Sequence, residues 1–297
     1  MKSSNAYFAF AVILSLGLSG YQRADAAEAY DDEGTLIRLT APAMRIISLA
    51  PSLTEILYAA GAGSKVVGVV EFSDYPPEAR SLPVVGRHDA LDLETLLALQ
   101  PDLVIAWRSG SPRAAINQLR ELGLTVYVAE PQDLDTVASH LDRLGTLAGT
   151  GTVASAASAG FRRQLQDLRT RYARRESVRT FYQVWDRPLI TAGGKELIND
   201  IISLCGGTNI FRELSRVAPK VSVESVLSRD PQIIVASGMD QERPEWLDSW
   251  RNWTDLSAVR NDKLFFIPPD LMQRHTPRAL EGAQRLCVQI ESVRESN

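Results

Sequence analysis

Few side chains in this chain are equipped for chemistry. There are three histidines, His88, His140 and His275, and two cysteines, Cys205 and Cys287. Three dispersed imidazoles leave little for a dedicated metal cage, and two thiols exclude a zinc site built from four cysteines. Glu71, Asp74 and Glu78 form a carboxylate cluster of the kind that acid-base catalysis uses. Tyr75-Pro76-Pro77 lies among them and stiffens the stretch, which favours a structural turn. Gly193-Gly194-Lys195 suggests a phosphate loop, but Glu196 follows the lysine where Ser or Thr is needed, and no glycine stands five residues before Gly194. Those glycines are expected to form a turn with positive φ. No Gly-x-Ser-x-Gly elbow is present. The residues therefore favour binding over bond-making, with a periplasmic enzyme as the weaker alternative.

Binding chemistry is better supplied. Phe72, Tyr75, Trp107 and Trp185 fall in loops expected to face a cleft, and such a lining suits a large, flat ligand. Tyr182 reads as core, and Trp246 with Trp250, spaced i,i+4, reads as one helix face packed on its lobe. His88, in Gly86-Arg87-His88-Asp89, and His275, in Gln273-Arg274-His275-Thr276-Pro277-Arg278, are expected to reach the same cleft. His140 lies in an amphipathic helical stretch and is expected at the surface. Glu94 and Glu224 each fall in the first turn of a helix, where a carboxylate is favourable by about 0.3–1 kcal/mol. Placed at related points on two lobes, they would also suit docking to a basic, two-fold partner.

Positioning these residues requires strands alternating with helices. Arg45–Leu49, Lys65–Val70, Leu103–Trp107 and Thr125–Ala129 read as short apolar strands. Leu53–Ala60, Leu93–Leu99, Arg113–Leu122 and Leu134–Leu147 read as helices, the first with Ser52 as its cap. That pattern predicts an α/β fold with parallel sheets covered on both faces. Thr152–Glu176 reads as one helix of about 25 residues, roughly 37 Å long. The strand-helix pattern then restarts at Val178. Leu93–Ala106 can be laid on Val223–Ala236 at a constant offset of 130, and Ser48–Ile56 echoes Ile190–Leu197 more weakly. Two related αβ lobes follow, residues 44–150 and 177–297, joined by a long helix over 151–176, with the ligand cleft between them.

Composition sets the outer bounds. The 297 residues allow about two domains. The 32 Lys and Arg against 36 Asp and Glu give a net charge of −4, which argues against nucleic acid as a partner. Residues 1–26 read as an export signal: Lys2, an apolar run over Ala6–Leu18, and Ala24-Asp25-Ala26 as a small-x-small cleavage site. With no cysteine near that site, a soluble periplasmic protein is expected rather than a lipoprotein. In an oxidising compartment Cys205 and Cys287 could form a disulfide, worth roughly 4 kcal/mol in the chain-entropy model, or remain two buried thiols.

Arg45–Glu55 (RIISLAPSLTE), Ser73-Asp74-Tyr75-Pro76-Pro77, Pro101–Arg108 (PDLVIAWR) and Cys205–Phe211 (CGGTNIF) together resemble the periplasmic cobalamin (vitamin B12)-binding proteins of ABC importers, over about residues 44–290. The resemblance implies two αβ lobes that clamp a corrinoid, no cofactor and a monomeric carrier. It implies docking of Glu94 and Glu224 on arginines of the membrane permease, and a disulfide between Cys205 and Cys287. It places ligand-lining aromatics at Trp107 and at Phe72, where tyrosine is the best-known residue. It also marks departures: lining tryptophans of the family fall near His88, Ala218 and Leu271. Trp185 could restore some stacking surface. The strand-Ala-Pro-Ser-x-Thr-Glu opening is shared with haem and iron-siderophore binders, which are the alternative within this fold.

Overall fold

The computed structural model describes residues 26–87, 89–172, 174–238 and 241–295. The export signal lies outside the described residues, apart from Ala26, and so does His88.

The chain opens with β1 (Ala27–Tyr30) and β2 (Leu36–Leu39), then β3 (Ile46–Ser48), α1 (Pro51–Ala59), β4 (Val66–Val69), β5 (Gly86–Arg87), β6 (Ala90–Leu91) and α2 (Leu93–Ala98). The first lobe is completed by β7 (Leu103–Trp107), α3 (Arg113–Glu121), β8 (Val126–Ala129) and α4 (Leu134–Leu147). The linking helix is α5 (Gly151–Tyr172). The second lobe holds β9 (Val178–Trp185), β10 (Ile190–Thr191), α6 (Leu197–Leu204), β11 (Gly207–Asn209), α7 (Val223–Arg229), β12 (Ile233–Ala236), α8 (Ser257–Arg260), β13 (Leu264–Phe266), α9 (Pro269–Met272) and α10 (Ala279–Arg294). Among the described residues no helix is long and apolar enough to cross a membrane.

The first sheet is parallel throughout, in the order β4-β3-β7-β8. Its strands are apolar at nearly every position, with Ser48 the polar exception, because both faces are covered. Ile46, Ile105 and Tyr127 pack under α1 and α4, while Ile47, Val104 and Val126 pack under α2 and α3. The second sheet runs β10-β9-β12-β13, with β11 pairing the first residues of β9. Its pairings are parallel except that of β10, which folds back on β9 as a hairpin. That reversal limits the weaker internal echo, because β10 is an antiparallel edge strand where β3 is a central parallel one.

The stronger repeat is built into the structure. Asp92 caps α2 by accepting the Thr95 amide at 3.0 Å, and Ser222, 130 positions later, caps α7 by accepting the Ser225 amide at 3.2 Å. Each helix feeds a central parallel strand, β7 or β12. Ser52 does not cap α1. Ala50 occupies the N-cap and Pro51 the first turn, where a residue without an amide proton leaves nothing unsatisfied.

The linking helix is shorter than expected. It ends at Tyr172, about 33 Å from its start at 1.5 Å per residue. Arg175 closes a turn onto the Tyr172 carbonyl, and the Arg294 guanidinium takes the Glu176 carbonyl at 2.7 Å, so the chain is already turning into β9. Gly193 and Gly194 also differ from expectation, because neither has positive φ. They are needed for close approach: a Cβ on Gly193 would stand 1.9 Å from the Arg216 carbonyl oxygen, and one on Gly194 1.8 Å from that of Arg212.

The first lobe begins earlier than residue 44. The β1–β2 hairpin pairs Ala27 with Leu39 and Tyr30 with Leu36. Its turn docks on the edge strand β8: Val128 accepts the Asp32 amide at 2.9 Å and donates its own to the Asp31 carboxylate at 3.3 Å. The open edge of the sheet is thereby covered. This hairpin also overturns the expected exposure of His140, which is fully buried beneath it. The His140 ring faces the Thr136 carbonyl through Nδ1 and the Asp32 carboxylate through Nε2, both at 2.8 Å. Arg143 holds the other Asp32 oxygen at 2.7 Å. These partners keep the Asp32 carboxyl far below the usual carboxylate range against the opposing effect of burial.

Cys205 and Cys287 form a disulfide, S–S 2.06 Å, which ties the end of α6 to the middle of α10.

Candidate functional site

In a parallel sheet the strands all deliver their C-terminal ends to one edge, and loops leaving that edge form the natural binding rim. Here the rims of both lobes meet. Trp107 ends β7, and Glu130-Pro131-Gln132 leaves β8. Val184 near the end of β9, the segment 195–198 opening α6, Ala218, Met272 at the end of α9, and Gln273 and His275 after it face them from the second lobe. Between them lies a cavity of about 400 Å³.

Its first-lobe wall is rigid. Gly110 lets the Trp107 ring lie against the backbone, since a Cβ there would come within 1.9 Å of the indole. Glu130 accepts the Ser109 amide at 2.9 Å and the Ser109 hydroxyl, which fixes the loop after Trp107. The Trp107 indole N–H is buried and has no partner among the described residues, so it is a spare donor beside the cavity.

The second-lobe wall carries the titratable groups. Burial, together with the nearby Glu130 charge, pushes the Glu196 carboxyl up. His275 is 9% exposed. Burial and the neighbouring His140 lower its pKa to about 4, against the upward pull of Asp133 and of the Gln132 carbonyl that accepts from the ring. His275 is therefore a neutral imidazole at pH 7, hydrogen-bonded on one side. Among the described residues no group of three or more His, Cys, Asp or Glu is placed to hold a metal ion. The cavity offers apolar surface, a few polar groups and one uncharged imidazole. Its hydroxyl–carboxylate pair, Ser109 with Glu130, is engaged in holding the loop after Trp107.

The expected site residues divide. Trp107 and His275 line the cavity; Phe72, Tyr75, Trp185 and Leu271 do not. Phe72 is 75% exposed with φ of +64°, outside the cavity wall. The Tyr75 ring lies 3.8 Å from the Arg278 guanidinium carbon, beside a separate surface depression with Glu55 and Tyr58. Trp185 donates its indole N–H to the Arg187 carbonyl and borders a neighbouring groove with Arg243 and Trp246. Leu271 is buried in the second-lobe core, where Gly282 makes room for its carbonyl. Glu94 and Glu224 are both exposed in the first turns of α2 and α7. Residue-type reasoning missed Glu130, Lys195, Glu196 and Met272. Glu130 directly follows a strand, Lys195 and Glu196 lie in the stretch first weighed as a phosphate loop, and Met272 ends a helix with no signal of its own.

Comparison with known proteins bears on the same geometry. Residues 46–271 match the sequence family described as periplasmic binding protein. The chain is 41% identical over 251 residues to the vitamin B12-binding protein of Vibrio cholerae serotype O1, covering 84% of this chain and 90% of that one. The crystal structure of the periplasmic vitamin B12 binding protein BtuF of Vibrio cholerae superposes with a TM-score of 0.78 at 40% identity, covering 85% of this chain and 98% of that one. A periplasmic heme binding protein from Pseudomonas aeruginosa superposes with a TM-score of 0.73 at 25% identity, covering 84% and 92%.

Proposed function

We propose, from the premise that the chain belongs to the periplasmic binding protein family, that it captures a corrinoid in the periplasm and hands it to an ABC importer. The observation that carries this reading is the 41% identity to a vitamin B12-binding protein across 84% of the chain. The cavity between the two lobes agrees with it. A whole corrinoid is larger than the cavity, so the ligand enters edge first. Its apolar edge meets Trp107 and Met272, and its peripheral amides meet Gln132, Lys195 and Gln273. The work is binding, and no covalent bond changes. The protein acts as a monomer, exported with its signal removed.

Delivery falls to Glu94 and Glu224. The Glu224 carboxyl is held below its usual range by its own amide and by the Ser222 hydroxyl, so it stays ionised at the surface. One such carboxylate per lobe, at positions related by the internal repeat, suits a permease that presents arginines in two-fold symmetry. Glu94→Ala with Glu224→Ala should leave ligand affinity unchanged and abolish corrinoid uptake by cells; normal uptake would remove the docking role.

Calorimetric titration of the mature protein with cyanocobalamin tests the ligand. One-to-one binding tighter than about 1 μM, or about 8 kcal/mol, is expected. His275 favours haem as the second reading, since a neutral imidazole in the cavity is the donor that ferric haem takes. Absent heat with cyanocobalamin, together with a haemin Soret shift that His275→Ala removes, would move the assignment to haem.

A further inference from the structure

Outside the cavity the two lobes are joined by a largely buried ionic network, and its central group is Glu55 of α1. The Glu55 side chain is 2% exposed and belongs to the first lobe. It accepts from two guanidiniums of the second lobe: Arg274 Nη1 at 3.0 Å, and Arg278 in a two-pronged contact, Nε at 2.8 Å and Nη2 at 2.7 Å. Arg274 also bonds Asp74 of the first lobe at 2.9 Å, and Asp270 beside it in its own lobe at 3.1 Å. Tyr75 covers the Arg278 guanidinium from the first lobe. These contacts join positions 200 to 223 residues apart in the chain.

The position of Arg274 gives the network its consequence. Its neighbours Gln273 and His275 line the cavity, as does Met272. Arg274 itself reaches across to α1. The first lobe thus holds, through one side chain, the backbone of the strip that forms the opposite cavity wall. Arg278 is the N-cap residue of α10, so the same carboxylate fixes where that helix starts.

We infer that Glu55 is a positioning residue: through Arg274 and Arg278 it sets the separation of the lobes and the placement of Met272–His275, and thereby how long a bound ligand is retained. The inference rests on the corrinoid reading for its ligand. A buried carboxylate that only stabilised the fold would matter to thermal unfolding and not to retention. Retention is the discriminating quantity, because affinity differences among variants of one binding site fall mostly in the dissociation rate.

The test uses the intact protein with cyanocobalamin, followed by tryptophan quenching in stopped flow. Glu55→Gln is expected to speed dissociation by about ten-fold or more, with association within about three-fold of the parent. A second variant, Glu55→Leu with Asp270→Leu, Arg274→Met and Arg278→Met, replaces the buried charges of the network by apolar groups. It should regain thermal stability lost in Glu55→Gln, since such replacements are often neutral, yet still release ligand fast. Dissociation within about two-fold of the parent in either folded variant would overturn the inference. Hydrogen exchange without ligand supplies a second reading. The 273–276 amides should exchange faster in folded Glu55→Gln than in the parent, and equal exchange would also overturn the inference. If the parent does not bind cyanocobalamin, the corrinoid reading fails, and that comparison still decides whether Glu55 positions the strip.

Discussion

His275 ties the cavity to the pH dependence of stability. Its imidazole has a pKa of about 4 in the fold, against an ordinary value of 6.5. Between those two values the unfolded chain binds a proton that the native protein excludes. Stability from this group is therefore complete above pH 6.5, falls as the solution is acidified, and changes no further below about pH 4. At about 1.4 kcal/mol per pKa unit the gap caps the effect at roughly 3 kcal/mol, and between about pH 7 and pH 4.5 it amounts to roughly 2 kcal/mol. Glu196 and Asp200 act in the opposite sense, because burial raises both carboxyls and protonation then favours the fold. The absolute curve is thus a sum, and the informative quantity is a difference between proteins. Urea unfolding of the parent, His275→Gln and His275→Ala should be measured at both pH values. The substitutions shift stability by an amount that does not depend on pH, whereas the loss on acidification should be smaller by roughly 2 kcal/mol in both variants. An equal loss in all three proteins would refute the neutral, buried imidazole.

Other substitutions probe separate features. Cys205→Ser with Cys287→Ser opens a loop spanning 82 positions and should lower stability by about 4 kcal/mol in urea unfolding under oxidising conditions. Gly194→Ala drives a methyl group into the Arg212 carbonyl and should lower unfolding free energy by about 1–3 kcal/mol. Trp107→Ala removes a half-buried ring from the cavity wall and should weaken cyanocobalamin binding in calorimetry by about ten-fold or more, with a modest loss of stability.

The architecture was legible in the sequence because its signals are local. β7 and β8 are apolar at each position since both faces of a parallel sheet are covered, and a five-residue window shows that. Leu93–Ala106 and Val223–Ala236 each hold one helix feeding one strand, an equally local signal, which is why a fixed offset found both lobes. Partnerships across long separations were not legible. His140 read as a surface residue because its partner Asp32 lies 108 positions away, in a hairpin that the reading left outside the lobe. Glu55 passed as part of a motif because its arginines lie beyond residue 270. The aromatics were placed by nearness to strand exits. That logic located Trp107, which ends a central strand. It misplaced Trp185, because β9 turns back into β10 and carries the ring to a different groove.

The docked hairpin has a consequence for a chain that emerges N-terminus first. Asp31 and Asp32 precede Val128, Glu130 and His140 by about a hundred residues. Until then the hairpin has nothing to cover, and the carboxylate pair waits in solvent. When β8 arrives its edge is exposed for as long as docking takes. The first lobe thus cannot seal itself before residues 128–140 have arrived. A chain stalled in that interval presents a bare sheet edge to its neighbours.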